Sequence, residues 1–271
     1  MAYYTIPPPK ILEPFIRFFW VFELDGIKNS GRPYVYRSLA DGCPELLFHY
    51  QGIFEELTPQ GKISSFRLGL HAQSRHFSRF QTEEDFGIFG AYLYPFALES
   101  LFGIPAAELS DQAIGLDTLL GNRVSILKER LAAADNNQKR YQVMSTFLEA
   151  LLLSRRPDIP PIYGAVKSVI AQKGEIDILQ LADYQNISLR QFQRKFKAAS
   201  GFSPKLYSRI LRFSKVAASL GGDFKDLTAL AYEHEYYDQS HFIHEFREFS
   251  GYTPRDYFAG SPEGREWLED A

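Results

Sequence analysis

The stretch SGFSPKLY at residues 200–207 returns as SGYTPRDY at residues 250–257. The match extends backwards at one constant offset, so that Phe192 and Phe196 align with two phenylalanines of the second copy. A repeat with a period near fifty residues predicts two copies of one small structural module. This duplication restricts the fold of the C-terminal half more than any other feature of the chain.

Each copy has the pattern of a helix, a sharp stop and a new helix start. A Phe-x-x-x-Phe pair places two rings on one face of a helix. Gly201 and Gly251 stand where a helix ends in a left-handed residue. Ser-Pro and Thr-Pro follow at residues 203–204 and 253–254, a pattern typical of an N-cap and a proline in the first turn. We therefore predict two helices joined by a tight turn in each copy.

The charges of the first copy are one-sided. Between Asp183 and Asp223 there is no acidic residue, and eight basic residues give a local sum of +8 in a chain of net charge −3. Such a stretch is typical of a phosphate-binding surface, with pairing to acidic residues elsewhere as the alternative. The basic residues are Arg190, Arg194, Lys195, Lys197, Lys205, Arg209, Arg212 and Lys215.

The helix that Ser188 would cap carries many of these charges. Leu189, Phe192 and Phe196 are predicted to form its buried stripe. The segment LQLADYQN before it predicts a short helix that ends at Asn186, a residue type that tolerates a left-handed turn. Together these elements predict a helix-turn-helix. The outer side would present residue types that read guanine and adenine edges or contact phosphates, namely Arg190, Gln193, Arg194 and Lys197.

The second copy has the opposite charge balance. From Asp223 to Phe258 there are three basic and eight acidic residues, a net charge of −5 with neutral histidines. We therefore predict that the first copy supplies most of the electrostatic affinity and of the direct readout. The second copy would bind more weakly, read thymine methyls, or chiefly orient the first. The outer side of the helix that Asp238 would cap carries Gln239, Ser240, Ile243, His244 and Arg247.

The N-terminal half has a different texture. Short segments rich in aromatic and β-branched residues, punctuated by Gly, Pro and Asp, predict strands. These segments are 15–24, 33–40, 44–50 and 85–94, with 63–70 and 75–81 as weaker candidates. Helical periodicity follows at 95–103, 124–134 and 138–154. We predict an α+β fold, in which an antiparallel β-barrel or sandwich and some helices precede an all-α domain with two helix-turn-helix units joined by a linker helix.

The domain boundaries follow from the segment SRRPDIPP, which contains three prolines and no periodic apolar face. We predict a β-rich domain at 1–153, a linker at 154–161, a DNA-binding domain at 162–258 and a mobile acidic tail at 259–271. The tail could still dock through Trp267 and Leu268.

Several classes of protein are disfavoured. The chain has no run of 18 apolar residues and no secretory signal pattern, so we expect a cytoplasmic protein. One cysteine, Cys43, excludes an internal disulfide, and a turn residue is favoured over a redox sensor. His241 and His244 suit one helical face, but no carboxylate or thiol completes a metal site. No Gly-rich phosphate loop or nucleophile elbow is present, so we expect neither an enzyme nor a cofactor.

The residues ALAYEHEYYDQSHFIHEFREFSGYTPRDY resemble the signature of the AraC/XylS family of bacterial transcription regulators. The resemblance covers roughly residues 160–258. It implies a linker helix at about 203–219 and two recognition helices in successive major grooves of promoter DNA. By position, the base-reading residues would be Arg190, Gln193 and Arg194 in the first unit, and Gln239, Ser240, Ile243 and His244 in the second. Phosphate contacts are expected from Lys195, Lys197, Lys205, Arg209, Arg212 and Arg247.

Two residues depart from the family pattern. Glu235 stands where the family usually carries Gly at the turn of the second unit, and a left-handed backbone there would be strained by about 1 kcal/mol. His244 stands where the family often carries Arg. Both departures reduce the DNA contact that we expect from the second unit.

The N-terminal half resembles, less specifically, the sensor-like domain of one branch of this family. The resemblance lies in PPPKILEPFIRFFWVFE, LADGCPELLFHY and YPFALESLFGIPAAELSD. It implies a domain that binds a small effector or mediates dimerisation, and RNA polymerase is a further candidate partner. The alternatives are a solidly packed interior, and a surface ion pair for Arg37 and Glu45. The candidate effector pocket comprises Trp20, Arg37, Glu45, Phe48 and Tyr92, with His49 and Tyr94 as further candidates.

Overall fold

The computed structural model describes residues 1–219, 238–260 and 262–264. Some expectations from the sequence lie outside these residues. They are the helix and double glycine before the second recognition helix, the turn at Glu235, and the end of the acidic tail with Trp267 and Leu268.

Two antiparallel sheets form the N-terminal part, as the strand patterns predict. The first sheet contains β1 (Ala2–Ile6), β2 (Ile16–Leu24), β4 (Glu45–Gln51), β7 (Leu68–His71), β9 (Phe86–Leu93) and β10 (Ala113–Gly115). The second contains β3 (Tyr34–Ser38), β5 (Glu55–Thr58), β6 (Gly61–Ser64) and β8 (Ser78–Thr82). The strand orders are β1-β2-β9-β4-β7-β10 and β3-β8-β5-β6.

The two sheets face each other across a small aromatic core. Trp20, Phe22 and Leu47 of the first sheet pack in one buried cluster with Phe54 and Phe80. Both sheets have free edges within the described residues, so they form an open sandwich and not a closed barrel.

The opposite face of the first sheet is covered by helices, and this second layer contains the main core. Phe19, Phe48 and Phe89 are fully buried there. The helices of this layer and its flanks are α1 (Ile27–Ser30), α2 (Ala97–Phe102), α3 (Ala106–Leu109), α4 (Leu116–Leu120), α5 (Val124–Ala133) and α6 (Asn137–Arg155).

The C-terminal part is helical throughout its described residues. Its helices are α7 (Pro161–Ala171), α8 (Ile178–Tyr184), α9 (Leu189–Ser200), α10 (Pro204–Ala217), α11 (Gln239–Ser250) and α12 (Pro254–Ala259). Helix α10 corresponds to the predicted linker helix. Among the described helices, none combines the length and the apolar character that crossing a membrane requires.

The helical part is fixed to the sheets at both repeats. The Tyr207 hydroxyl donates a hydrogen bond of 2.9 Å to the Gly42 carbonyl. The Ser110 hydroxyl donates to the Gly201 carbonyl over 3.2 Å, at the end of α9. In the second repeat, the Phe249 carbonyl accepts a hydrogen bond of 3.0 Å from the Ala40 N–H. Each helix-turn-helix repeat therefore contacts the N-terminal part directly.

Candidate functional site

The first repeat has the local geometry of a helix-turn-helix. Asn186 lies in the turn between α8 and α9 with a φ of 53°, the left-handed conformation that its residue type tolerates. The Ser188 hydroxyl accepts a hydrogen bond of 3.3 Å from the Gln191 N–H, and the Ser188 N–H donates one of 3.3 Å to the Gln191 side-chain oxygen. This capping box fixes the start of α9. Gly201 ends the helix at a φ of 91°, as the sequence predicts.

The recognition helix of the second repeat begins and ends with the same types of capping residue. The Asp238 carboxylate accepts a hydrogen bond of 2.7 Å from the His241 N–H at the start of α11. Gly251 ends the helix at a φ of 74°. Phe242 and Phe246 are fully buried, as Phe192 and Phe196 are in α9. Helices α9 and α11 are therefore anchored in the same way, and this fixes which face of each helix points outward.

The outward face of α9 is basic and fully exposed. Arg190, Gln193 and Arg194, predicted to read bases, are all exposed, and so are Lys195 and Lys197. Lys205, at the start of α10, is exposed as well. The buried stripe is narrower than predicted, because Leu189 is 38% exposed. Helix α9 thus presents cations and an amide on one side and two phenylalanines on the other.

Three cations of the basic stretch do not belong to this exposed surface. The Arg209 guanidinium pairs with Glu245 at 2.5 Å and with Glu248 at 3.0 Å, which ties α10 to α11. Lys215 pairs with Glu175 at 2.6 Å. Arg212 is half-buried, and its Nε atom lies away from solvent. The eight cations therefore do not form one ridge, and phosphate contacts by Arg209 and Arg212 stay predictions that need these side chains to turn outward.

The outward face of α11 is polar and less basic. Gln239, Ser240, His244 and Arg247 are exposed, and Ile243 is half-buried. The His241 imidazole lies 4.0 Å from the buried Glu245 carboxylate. No cluster of residues suited to a metal ion occurs among the described residues. The exposed faces of the two recognition helices therefore differ in charge, as the sequence predicts.

A cavity of about 120 Å³ lies between the two sheets. Residues at alternate positions of two strands line it, as expected for one face of a sheet. Trp20 and Phe22 come from β2, and Glu45, Leu47 and His49 come from β4. His71 of β7 stands opposite Glu45 in the strand register and also lines the cavity.

The cavity contains only part of the predicted pocket. Of the five residues of the predicted pocket, Trp20 and Glu45 line it, together with the further candidate His49. Phe48 points to the opposite face of the sheet and into the main core. The histidine at position 71 was missed, because its short segment carries little periodic signal.

Arg37 and Tyr92 line a different cleft of about 400 Å³, between the sheets and α10. Arg37 pairs with Glu263 at 3.0 Å and lies 3.8 Å from the centre of the Tyr252 ring. Arg37 thus makes an ion pair, the alternative that the sequence left open, but with Glu263 and not with Glu45. Pro262 and Gly264 on either side are buried, so this part of the tail is held against β3 and β8.

Cys43 is buried beside Arg17, and burial raises the pKa of its thiol to about 11. A thiol in this protonated state is a poor nucleophile. The environment therefore supports the interpretation of Cys43 as a turn residue.

Three side-chain nitrogens in the cavity wall are buried without a hydrogen-bond partner within the described residues. They are Trp20 Nε1, His49 Nδ1 and His71 Nε2. Burial lowers the pKa of both histidines to about 4, so both imidazoles are neutral near pH 7. Burial, together with the nearby Asp41, raises the pKa of Glu45 to about 8. The cavity therefore holds polar groups whose hydrogen-bonding capacity is unused.

These shifts predict that stability is greatest near pH 6.5, the ordinary pKa of histidine. Folding takes up a proton on Glu45 between its ordinary pKa of 4.5 and its raised pKa of about 8, so the free energy of unfolding falls as pH rises through this window. As pH falls from 6.5 towards 4, the unfolded chain binds protons on His49 and His71 that the folded chain does not bind. The free energy of unfolding therefore also falls on the acidic side.

Glu45→Gln should remove the alkaline decline, because the amide does not titrate. The melting temperature between pH 6.5 and 8 measures this effect. An equal decline in the variant and the unaltered protein over this range would contradict the assignment.

Comparison with known proteins agrees with the geometry of the C-terminal part. A helix-turn-helix module consists of two helices joined by a tight turn, and the second helix presents a polar face outward. Residues 181–260 match a family model described as a helix-turn-helix domain. The C-terminal region is an AraC-type helix-turn-helix domain, the DNA-binding domain of a transcription regulator. Residues 4–115 match a model described as a domain of unknown function (DUF6597).

The solved structures to which the chain is similar include those of ToxT and of CuxR. Apo ToxT from Vibrio cholerae is 14% identical over 89% of this chain and 96% of that chain, with a TM-score of 0.45. ToxT from Vibrio cholerae with a bound unsaturated fatty acid is 14% identical over 88% of this chain and 93% of that chain, with a TM-score of 0.40. The AraC-like activator CuxR is 10% identical over 80% of this chain and 87% of that chain, with a TM-score of 0.24. None of the curated proteins compared with the chain matches it.

Proposed function

We propose that the chain is a sequence-specific regulator of transcription that binds promoter DNA chiefly through α9 and is controlled by a small effector in the cavity between its sheets. The exposed basic face of α9, opposite the buried Phe192 and Phe196, is the observation that carries the proposal. Arginine and glutamine on such a face suit bidentate contacts to guanine and adenine. Arg190, Gln193 and Arg194 would therefore read bases, and Lys195, Lys197 and Lys205 would contact phosphates.

The second helix-turn-helix would add a weaker contact. Gln239, Ser240, Ile243 and His244 would face the next major groove, and Arg247 would contact the backbone. The only exposed cation among these five is Arg247, so its electrostatic contribution is small beside that of α9.

Control by an effector is supported by the direct contacts between the sheets and both repeats. Strand β3, which lines the cavity, leads directly into the segment 39–43. The backbone of this segment forms hydrogen bonds with Phe249 and Tyr207. A ligand that moved β3 or β4 would thus act on both repeats, which is the physical requirement for coupling two sites. A ligand-independent regulator whose N-terminal domain only dimerises or binds a protein partner remains the second candidate, favoured by the small size of the cavity.

Selection of binding sites from a random pool of duplex DNA tests the proposal. The full-length chain should enrich a motif, with protection of one or two successive major grooves on one face of the duplex in footprinting. Recovery of unrelated sequences after repeated rounds would show that the chain does not read sequence.

A further inference from the structure

The cavity between the sheets is an apolar space with an acidic group in its wall. Aromatic rings surround it from both sheets, including Tyr3, Trp20, Tyr36, Phe54 and Phe80. Gly90 makes room for the Trp20 indole, since a methyl group at that position would collide with the ring. The indole is thus held against β9 at a defined place in the wall.

The charge of the wall has one sign. Glu45 lines the cavity, whereas no Lys or Arg does so among the described residues. Arg17 lies over the Tyr92 ring at 4.9 Å and donates to Cys43, and Arg67 donates to the His49 carbonyl. Asp41, the charged neighbour that acts on Glu45, is acidic and opposes its ionisation. An ionised Glu45 therefore lacks a positive partner within the cavity.

The unused nitrogens define the remaining chemistry of the cavity. The indole nitrogen can only donate a hydrogen bond, and it needs an acceptor. A neutral imidazole nitrogen without its proton accepts a hydrogen bond. His49 and His71 pack against Phe54 and Phe80, with ring centres 5.9 and 5.3 Å apart, so they stay uncharged in this setting. They do not repel a cation.

We propose that this cavity binds a small organic ammonium ion that pairs with Glu45, lies against the aromatic rings, and carries an oxygen that accepts from Trp20. A cation gains energy over the faces of Trp and Tyr rings, and quaternary ammonium ions are recognised in this way. A cavity of about 150 Å³ accommodates benzene, so an ion of the size of choline would fill this space of about 120 Å³ and extend into the adjoining cleft, which shares Tyr36 and Glu45 with it. An anionic ligand would find no cationic side chain among the described residues that line the cavity.

Isothermal titration calorimetry of the full-length chain at about pH 9, above the raised pKa of Glu45, tests the proposal, with choline and its uncharged isostere 3,3-dimethylbutan-1-ol as probes. The two molecules share shape and hydroxyl and differ only in charge. We expect choline to bind at least about tenfold more tightly than the alcohol. Equal affinity of the two probes, or no saturable binding of choline up to about 10 mM, would overturn the proposal.

Two variants assign the site. Glu45→Gln keeps the shape of the side chain and should weaken choline at least about tenfold while leaving the alcohol unchanged. Trp20→Phe keeps a ring but removes the indole donor, and should weaken both probes. Thermal unfolding shows whether each variant is folded. Choline binding that is unchanged in folded Glu45→Gln would place the ligand elsewhere and overturn the proposal.

The role of this ligand as effector rests on the proposed function, and the two can fail separately. DNA binding of the same preparation is measured in parallel. Choline binding without DNA binding would support the ligand site and contradict the proposed function. DNA binding without choline binding would support the proposed function and contradict the ligand site.

Discussion

Replacing Arg194 with Glu should lower affinity for the selected duplex by at least about 100-fold, because a bidentate contact to a base is worth about 1–3 kcal/mol and the new carboxylate also repels phosphates. Arg194 is exposed on the outward face of α9, with no ion pair within the described residues. Fluorescence anisotropy of a labelled duplex at fixed salt concentration measures the loss.

Two control variants make this result specific. Arg130→Glu introduces the same change of charge on an exposed site of α5, and it should leave affinity nearly unchanged. His244→Ala truncates the outward face of α11 and should cost less than about tenfold, within the cost of one base contact. Equal losses for Arg194→Glu and His244→Ala would refute the asymmetry of the two units.

The second large effect concerns Arg209, which holds α11 against α10. Its partner Glu245 is 1% exposed, so removing the arginine leaves a buried carboxylate without its charge partner. Loss of one member of a buried pair costs about 3–5 kcal/mol. We expect Arg209→Met to destabilise the protein by about 3 kcal/mol, the lower end of that range, because Arg209 is itself partly exposed. Urea unfolding measures this loss.

The double variant Arg209→Met/Glu245→Met separates a structural role from a contact with DNA. Two apolar side chains should restore most of the stability, since a buried ion pair and an apolar pair of similar volume are often equivalent. If the arginine acts only on α11, the double variant should keep DNA affinity within a few-fold. Restored stability with a large loss of affinity would assign Arg209 to the phosphate contacts instead, as the sequence suggested.

The parts of the fold that the sequence predicts are those set by local chemistry. Ser188, Asn186 and Gly201 act within a few residues of themselves, so their capping and turn conformations follow from residue type. Strand β4 is predicted for a similar reason, because its short apolar and aromatic segment is bounded by Pro44 and Gly52. Strands β1 and β10 were missed, since each is short, and the pairing partner of β10 lies far away in the chain.

The partners of charged side chains could not be predicted. Lys215 and Arg209 look like members of one basic surface in the sequence, but their acidic partners lie more than thirty residues away. Arg37 likewise finds Glu263 at the far end of the chain. These groups meet because α10 packs against α11 and against the segment between α7 and α8, and because the tail packs against the sheets. The same reason explains why Arg37 was assigned to a pocket that it does not line.

The salt dependence of DNA binding tests the central role of α9 most directly. Each phosphate neutralised by a protein cation contributes about −0.9 to the slope of log Kobs against log salt concentration. Lys195, Lys197 and Lys205 are exposed in the first unit and Arg247 in the second, and these four proposed phosphate contacts predict a slope of about −3 to −4 for the full-length chain on its selected duplex. A slope near zero, or one that is unchanged in Lys197→Ala, would contradict DNA binding through this helix.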